Sequence, residues 1–279
     1  MTFELIENQL EISALKFQAD FSTLPVGDFP VTEIQEFERE VALPGKELSD
    51  LIEKTSFAMA SQDVRYYLNG ILLEVSPSQI NVVATDGHRL AWSSCKIKTD
   101  FTDEKIIIPR KSALELQKLL NLYPENVNIA FNSNQLKVFS DEYTFISKLI
   151  EGSYPDYEKV FPKGTEQKLK ANKSLVQTAL NRAAVLSNEK YRGVKFILEK
   201  DNLKICANNP SKESAEEEVL VEYSGDSFEI GFNISYVQES LSVISNNEVE
   251  FVFFGSENSC LVKNIDDESL IHVIMPMRL

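Results

Sequence analysis

The side chains in this sequence that could do chemistry are few. Its 279 residues hold only two histidines, His88 and His272, and three cysteines, Cys95, Cys206 and Cys260. A zinc site draws its ligands from clustered Cys and His, and a hydrolytic triad needs a nucleophile, a base and an orienting acid. Neither spacing is present. Asp86-Gly87-His88 reads either as acid-base machinery, the core of a rival hydrolase reading, or as a turn that Asp-Gly stabilises; the turn is the preferred reading. The acidic run Glu213-Ser214-Ala215-Glu216-Glu217-Glu218 suits a hard cation or, more simply, a solvated or partner-facing surface. No glycine-rich phosphate loop occurs among the ten glycines. The expectation is a protein without catalytic residues, metal or cofactor.

The elements that must carry any binding site come from about two domains' worth of chain. A hydrophobic content of 43% with 25% charged residues is ordinary for a globular protein, and no apolar run approaches the ~20 residues of a membrane span. The N-terminus lacks a basic, then apolar, secretion signal, so the expected location is the cytoplasm. Three widely separated cysteines predict free, mostly buried thiols. A net charge of −15 argues at first against nucleic acid, whose phosphates are bound by Lys and Arg.

Self-similarity at about 125 residues points to repeated whole domains. A helical stretch Leu43 to Ala60 precedes Asp63 to Glu74, and Leu169 to Ser187 precedes Glu189 to Glu199. A second helix opens near Pro109 in one copy and near Asn233 in the other. Residues Asn8-Gln9-Leu10-Glu11 and Gly27-Asp28-Phe29-Pro30 echo Asn134-Gln135-Leu136-Lys137 and Gly152-Ser153-Tyr154-Pro155. The chain therefore reads as starting inside a third copy short of about 95 residues, the alternative being a short N-terminal extension. Turn formers at Pro25 to Pro30 and Pro155 to Gly164 set boundaries at 1–38, 39–162 and 163–279. Strand-like runs at Ile71 to Val75, Gln79 to Ala84 and Asn126 to Phe131 between the helices give an α+β fold: repeated modules, each with two helices packed on antiparallel sheets.

Helical spacing assigns Leu48, Leu51, Ile52 and Met59 to one packed stripe, Ala113, Leu116 and Leu120 to a second, and Val176, Ala179, Leu180 and Ala183 to a third. Lys46, Asp50 and Lys54, then Lys111, Glu115 and Lys118, then Lys173, Gln177 and Arg182 occupy other faces. The four helical segments carry about +2 between them and the rest of the chain about −17. Such a division suits helices that face DNA and sheets that face the cell, although the fourth segment has Glu239 and no Lys or Arg.

Gln62-Asp63-Val64-Arg65-Tyr66-Tyr67-Leu68-Asn69-Gly70, Ala84-Thr85-Asp86-Gly87-His88-Arg89-Leu90-Ala91, Leu186-Ser187-Asn188-Glu189-Lys190 and Met275-Pro276-Met277-Arg278-Leu279 together resemble the bacterial DNA sliding clamp, the beta subunit of DNA polymerase III. The resemblance runs over nearly the whole chain, as the end of a first clamp domain followed by two complete ones. It implies a head-to-tail homodimer ring, with helices lining the hole, that holds duplex DNA topologically. Weak phosphate contact then favours sliding, which reconciles an acidic chain with DNA. It also implies a non-enzymatic processivity factor that tethers the replicative polymerase, the clamp loader and repair proteins through short linear peptides.

Carried over residue by residue, the resemblance places Gln62, Arg65, Tyr66, Tyr67, Arg110, Lys111, Lys118, Lys173 and Arg182 toward the duplex. Tyr66 and Tyr67 read equally as residues at the entrance to a strand. The implied peptide pocket comprises Leu68, Thr85, Gly87, His88, Arg89, Leu90, Pro155, Lys159, Val160, Tyr236, Ser259, Val273, Met275, Pro276, Met277, Arg278 and Leu279. Methionines suit such a surface because they adapt to several ligands, yet Met-Pro-Met also reads as the end of a last strand. Clamps often carry arginine at the position of Lys159, and lysine offers no flat bidentate contact. The implied ring contact sets Val185, Leu186, Glu213, Glu216 and Glu217 against Ala19 and Phe21 of a second copy. Only Lys16 answers those acids, so the expectation is that this chain alone closes no stable ring. The remaining alternative is a peptide-binding scaffold that never surrounds DNA.

Overall fold

A computed structural model describes residues 1–29, 36–37, 39–99, 103–265 and 267–279. Backbone contacts divide the chain into an N-terminal unit, Met1–Glu36, and a larger unit, Phe37–Leu279. The first is an antiparallel meander of β1 (Thr2–Ile6), β2 (Gln9–Ala14) and β3 (Phe17–Ser22), in that spatial order. Pro30, at the end of the first turn-rich stretch, lies outside the described residues.

Within the larger unit a first module runs β4 (Arg39–Pro44), α1 (Gly45–Ser56), β5 (Gly70–Val75), β6 (Gln79–Thr85), β7 (Arg89–Lys96), β8 (Glu104–Pro109), α2 (Arg110–Leu122), β9 (Asn126–Phe131), β10 (Gln135–Phe139) and β11 (Thr144–Lys148). A second repeats the order: β12 (Gln167–Asn172), α3 (Lys173–Val185), β13 (Gly193–Glu199), β14 (Asn202–Asn208), β15 (Ser214–Leu220), a two-residue β16 (Glu222–Tyr223), β17 (Phe228–Asn233), α4 (Ile234–Ser242), β18 (Glu248–Phe253), β19 (Cys260–Asn264) and β20 (Leu270–Ile274). We call these the central and last modules. The β1 to β3 meander has the strand order of β9 to β11 and β18 to β20, the closing strands of the two modules.

Leu43 and Leu169, expected as helix starts, lie in strands β4 and β12. Around Leu169 the buried Leu169 and Ala171 alternate with exposed Lys168 and Lys170, and period two is a strand pattern. Each helix then starts where chemistry permits. Pro44 and Pro109 precede α1 and α2, and their fixed φ and missing N–H suit a helix entry. At the equivalent places Asn172 and Asn233 cap α3 and α4, their side chains accepting from the amides of Leu175 (3.2 Å) and Ser235 (2.9 Å).

In each module the two helices pack on each other and on the apolar inner faces of two sheets. The predicted packing residues Leu48, Leu51, Ile52, Met59, Ala113, Leu116, Leu120, Val176, Ala179, Leu180 and Ala183 are all buried, Met59 just beyond the end of α1. Of the cysteines expected to be mostly buried, Cys260 is; Cys95 and Cys206 are half-buried.

The modules are joined by more than a linker. Strand β7 of the central module pairs antiparallel with β20 of the last, giving one nine-stranded sheet in the order β16-β12-β18-β19-β20-β7-β6-β5-β8.

Candidate functional site

At the β7–β20 seam Leu90 lies opposite Val273 and Trp92 opposite Ile271. Successive side chains of a strand point to opposite faces, so Arg89 and Ala91 turn toward the helices while Leu90 and Trp92 turn outward. There Leu72, Val83, Leu90, Ile107, Tyr157 and Val273 form an apolar cluster separate from the module cores, with Tyr154, Val160, Phe161 and Leu261 against it. The connector between the modules thus lies over the sheet it has just left. One polar anchor fixes it. The Tyr157 hydroxyl donates to Glu74 (2.6 Å), which also accepts from Asn81 (2.9 Å) and pairs with Lys105 (2.5 Å). Burial opposes charge on Glu74, but Lys105, Tyr157 and Asn81 outweigh it and hold the carboxyl below its ordinary value.

The turn between β6 and β7 forms one wall. Gly87 has φ +90°, which a residue without Cβ adopts readily. Asp86 accepts from the amides of His88 (2.9 Å) and Arg89 (3.1 Å), and the Thr85 hydroxyl accepts from the amide of Gly87 (3.1 Å). The Asp-Gly turn expected from the sequence is therefore present, and the Asp86 carboxylate is committed to it. Arg65 reaches over Gly87, donating to the carbonyl of Asp86 (3.3 Å) and to the carboxylate of Asp63 (2.9 Å). That contact lowers the Asp63 carboxyl to about 2.

Beneath the turn, Arg89 binds both modules. Its guanidinium donates to Asp86 (3.1 Å), to the carbonyl of Phe57 at the end of α1 (2.8 Å) and to Glu239 on α4, and lies 4.5 Å from the ring centre of Tyr236. Next to it His272, fully buried on β20, makes a 3.2 Å hydrogen bond through Nε2 with the carbonyl of Lys54 and meets the Phe57 ring edge-on. Burial pushes its imidazole down to about 4.

The chain ends along the last module. The amide of Met275 donates to the carbonyl of His88 (3.0 Å), and that of Met277 to the carbonyl of Gly231 on edge strand β17 (2.9 Å). Met277, Arg278 and Leu279 border a cavity of about 640 Å³ on the outer face of β13 to β15.

The structure brings Leu90, Val160 and Val273 together in the outer cluster, with Thr85, Gly87 and His88 on the adjoining turn and Pro155 and Lys159 on the exposed connector. Tyr236 stacks on Arg89, and Ser259 directly precedes β19. Leu68, expected in the same pocket, is buried at 2% exposure. Met277 and Leu279 stand over the last module's own sheet. Lys159 is paired with Asp156 (2.7 Å). Sequence reasoning missed Trp92, Tyr154, Tyr157 and Leu261; period-two alternation in β7 was a usable signal for Trp92 alone.

Of the cationic residues assigned to DNA, Arg110, Lys111 and Lys118 border one shallow groove on α2 with Leu114, Glu115 and Gln117; Lys118 is paired with Glu115 (2.9 Å), and Arg110 donates to the carbonyl of Met59 (3.1 Å). Lys173 and Arg182 are held by partners outside their own helix, Lys173 by the carbonyl of Ile244 (2.5 Å) and Arg182 by Glu217 (3.3 Å). Tyr66 and Tyr67 form a 3-10 turn with Leu68 that leads into β5 at Gly70. Gln62, with φ 58°, directly precedes a loop closed by two hydrogen bonds between Asp63 and Asn69 (2.9 and 2.8 Å). Val185 is exposed and Leu186 half-buried at the end of α3, and Glu213 precedes β15, which carries Glu216 and Glu217; Ala19 and Phe21 lie on β3.

Two family models match the chain: DNA polymerase III beta subunit, central domain, over residues 42–156, and the C-terminal domain of the same subunit over residues 158–278. The Beta sliding clamp of Pseudomonas aeruginosa is 44% identical over 274 residues, 98% of this chain and 75% of the relative. That of Escherichia coli is 42% identical over 258 residues, 92% and 70% of the two chains. A crystal structure of the Pseudomonas aeruginosa clamp with ligand superimposes with a TM-score of 0.96 at 43% identity, covering 99% of this chain and 76% of the other. A structure of the clamp from that organism bound to griselimycin gives the same TM-score and identity. With both complete modules matched in order and relatives above 40% identity, the chain belongs to the DNA polymerase III beta subunit family, the sliding clamps that act as processivity factors in DNA replication.

Proposed function

We propose that the apolar outer face at the β7–β20 seam is where this clamp holds the short peptides of its replication partners, and that it does so without covalent chemistry. The observation that carries this reading is the cluster around Leu90 and Val273: buried apolar side chains on the sheet face turned away from the helices, topped by half-buried Trp92, Tyr154, Val160 and Leu261 and bordered by the Asp86-Gly87 turn and the C-terminal residues. Apolar anchors in a desolvated pocket supply most of the affinity of such contacts, and methionines accommodate several sequences. Griselimycin, bound by the Pseudomonas aeruginosa clamp, is a ready probe. Fluorescently labelled griselimycin is expected to bind saturably and to be displaced by peptides from the polymerase and clamp loader; absence of saturable binding removes the assignment.

The DNA-facing role falls to α2, with Arg110, Lys111 and Lys118, and to the Gln62 to Tyr67 loop. Duplex DNA is held by encirclement, with few direct contacts. Domain limits of 1–38, 39–162 and 163–279 follow the two modules and the N-terminal meander.

Ring formation in this reading repeats the seam between the modules. Strand β7 pairs with the closing strand of the next module; its counterpart β15 is an edge strand, and β3 is the closing strand of the N-terminal meander. Pairing of β15 with β3 of a second copy is the corresponding contact. It sets Glu213, Glu216 and Glu217 near Asp20, a like-charge arrangement relieved by Lys16. The chain alone is therefore expected to be monomeric by light scattering at low micromolar concentration, and a tight dimer there refutes this.

A further inference from the structure

Leu279 has been counted with the pocket, but its surroundings give it a different task. The repeat provides the frame. In the central module, chain leaving the closing strand β11 returns one hydrogen bond to the edge strand β8, from the amide of Ile150 to the carbonyl of Ile107 (2.9 Å). In the last module, chain leaving β20 does the same to β17, from the amide of Met277 to the carbonyl of Gly231 (2.9 Å). After Ile150 the central module continues into the connector, which Tyr157 anchors. For Arg278 and Leu279, which follow Met277, other residues must provide the hold.

Two glycines do. A Cβ at Gly231 would stand 2.5 Å from the carbonyl oxygen of Met277 and 2.8 Å from Cγ of Leu279. A Cβ at Gly193, on the neighbouring strand β13, would stand 2.4 Å from Cδ2 of Leu279. Real Cβ atoms do not approach that closely, so Met277 and Leu279 lie along a shallow furrow that exists because both strands lack a side chain there, the outer side of Leu279 staying open to solvent at 64% exposure. Met275, two residues upstream of Met277, is bonded to the carbonyl of His88 on the pocket's turn. The segment is thus tethered at one end to the pocket and at the other to the furrow.

We infer that Leu279, seated on Gly193 and Gly231, is a positioning residue: it anchors the chain end so that Met275 to Met277 stand as a fixed wall of the peptide site. The inference rests on the peptide-site reading proposed above. Pre-ordering a wall removes an entropic cost that the ligand would otherwise meet on binding. Gly193 and Gly231 then affect affinity although the seated chain end covers them.

The test titrates labelled griselimycin into the full chain and its variants. Leu279→Ala, Gly231→Ala and Gly193→Ala are each expected to weaken binding by about tenfold, mainly through the off-rate, with Leu279→Met restoring most of it. Leu279→Ala combined with Gly231→Ala is expected to be no worse than either alone, because both act by releasing one segment. Hydrogen exchange of the Met277 amide in the free protein is expected to accelerate in Leu279→Ala. If Leu279→Ala weakens binding while that amide stays protected, or if folded glycine variants bind normally, Leu279 touches ligand directly and the inference fails. Should the glycine variants not fold, the exchange measurement on Leu279→Ala decides alone. Failure of the unsubstituted chain to bind overturns the peptide-site reading instead, and the anchor can still be judged from Met277 exchange.

Discussion

Arg89 of strand β7 donates through Nη1 to the carboxylate of Glu239 on α4, so that a side chain of the central module is held by a helix of the last. The same guanidinium caps the carbonyl of Phe57 and braces Asp86. Its removal strands three acceptors, two of them charged. Arg89→Ala is expected to destabilise the protein by about 3 kcal/mol, the usual cost of breaking a largely buried ion pair from one side. Glu239→Gln keeps a hydrogen-bond acceptor on a more exposed partner and should cost less than about 1 kcal/mol. Urea unfolding of both variants measures the difference, and equal effects contradict the account.

His272 makes the same joint sensitive to acid. Its folded pKa of about 4 lies below the usual histidine value of 6.5, chiefly through burial, with Arg89 and Lys54 facing it adding to the depression. Between those two values the unfolded chain binds a proton that the folded chain does not, so stability falls as pH drops from 6.5 to 4 and is fully present above 6.5. The loss attributable to this one group is roughly 3 kcal/mol by the usual conversion of a pKa difference. His272→Gln, which keeps a donor for the carbonyl of Lys54, should flatten the stability profile in that window. An unchanged profile removes His272 as its cause.

Tyr157→Phe tests the connector's anchor. Loss of the hydroxyl leaves Glu74 with Asn81 and Lys105 and should cost about 1 kcal/mol, the net worth of one such hydrogen bond. Because the connector carries Val160 to the outer cluster, griselimycin affinity should fall along with stability; a stable variant with normal affinity shows that the anchor is not needed.

In the peptide site, floor and rim should differ. Leu90, at 1% exposure, lies in the cluster, whereas Lys159 is exposed and already paired with Asp156. Leu90→Ala is expected to weaken griselimycin by about tenfold or more, and Lys159→Ala by less than about threefold, since buried anchors dominate interface energetics. Reversal of that order, read by fluorescence titration, contradicts the placement of the floor.

For the duplex, the groove on α2 makes a salt-dependent prediction. If Lys111 and Lys118 each neutralise one phosphate, replacing both by Gln should reduce the slope of log affinity against log salt by about 2. Replacing Lys173 should change it less, because that ammonium is half-buried on the Ile244 carbonyl whereas Lys111 and Lys118 are exposed.

Much of this was legible in the sequence, and what was not has physical causes. Helical stripes such as Ala113, Leu116 and Leu120 are local patterns, and all three are buried as spacing required. The repeat was visible because equivalent strands and helices recur with conserved order. Pairing of β7 with β20 joins residues some 180 positions apart in sequence, and no local period encodes which edge strand meets which. The extra strand turns at Leu43 and Leu169 were hidden because a leucine satisfies both the strand and the helix pattern. Lys173 and Arg182 read as free cations because helical periodicity does not reveal the carbonyl or carboxylate that another element brings to them. Gly193 and Gly231 carry no signal until the end of the chain is laid over them.

The nine-stranded sheet has a mechanical corollary. Since backbone hydrogen bonds cross from β7 to β20, a protease that cuts the exposed connector near Lys163 severs the polypeptide but not the ladder. The two fragments should then co-elute under native conditions and separate only in denaturant, as the halves of a zipped seam would rather than beads on a string.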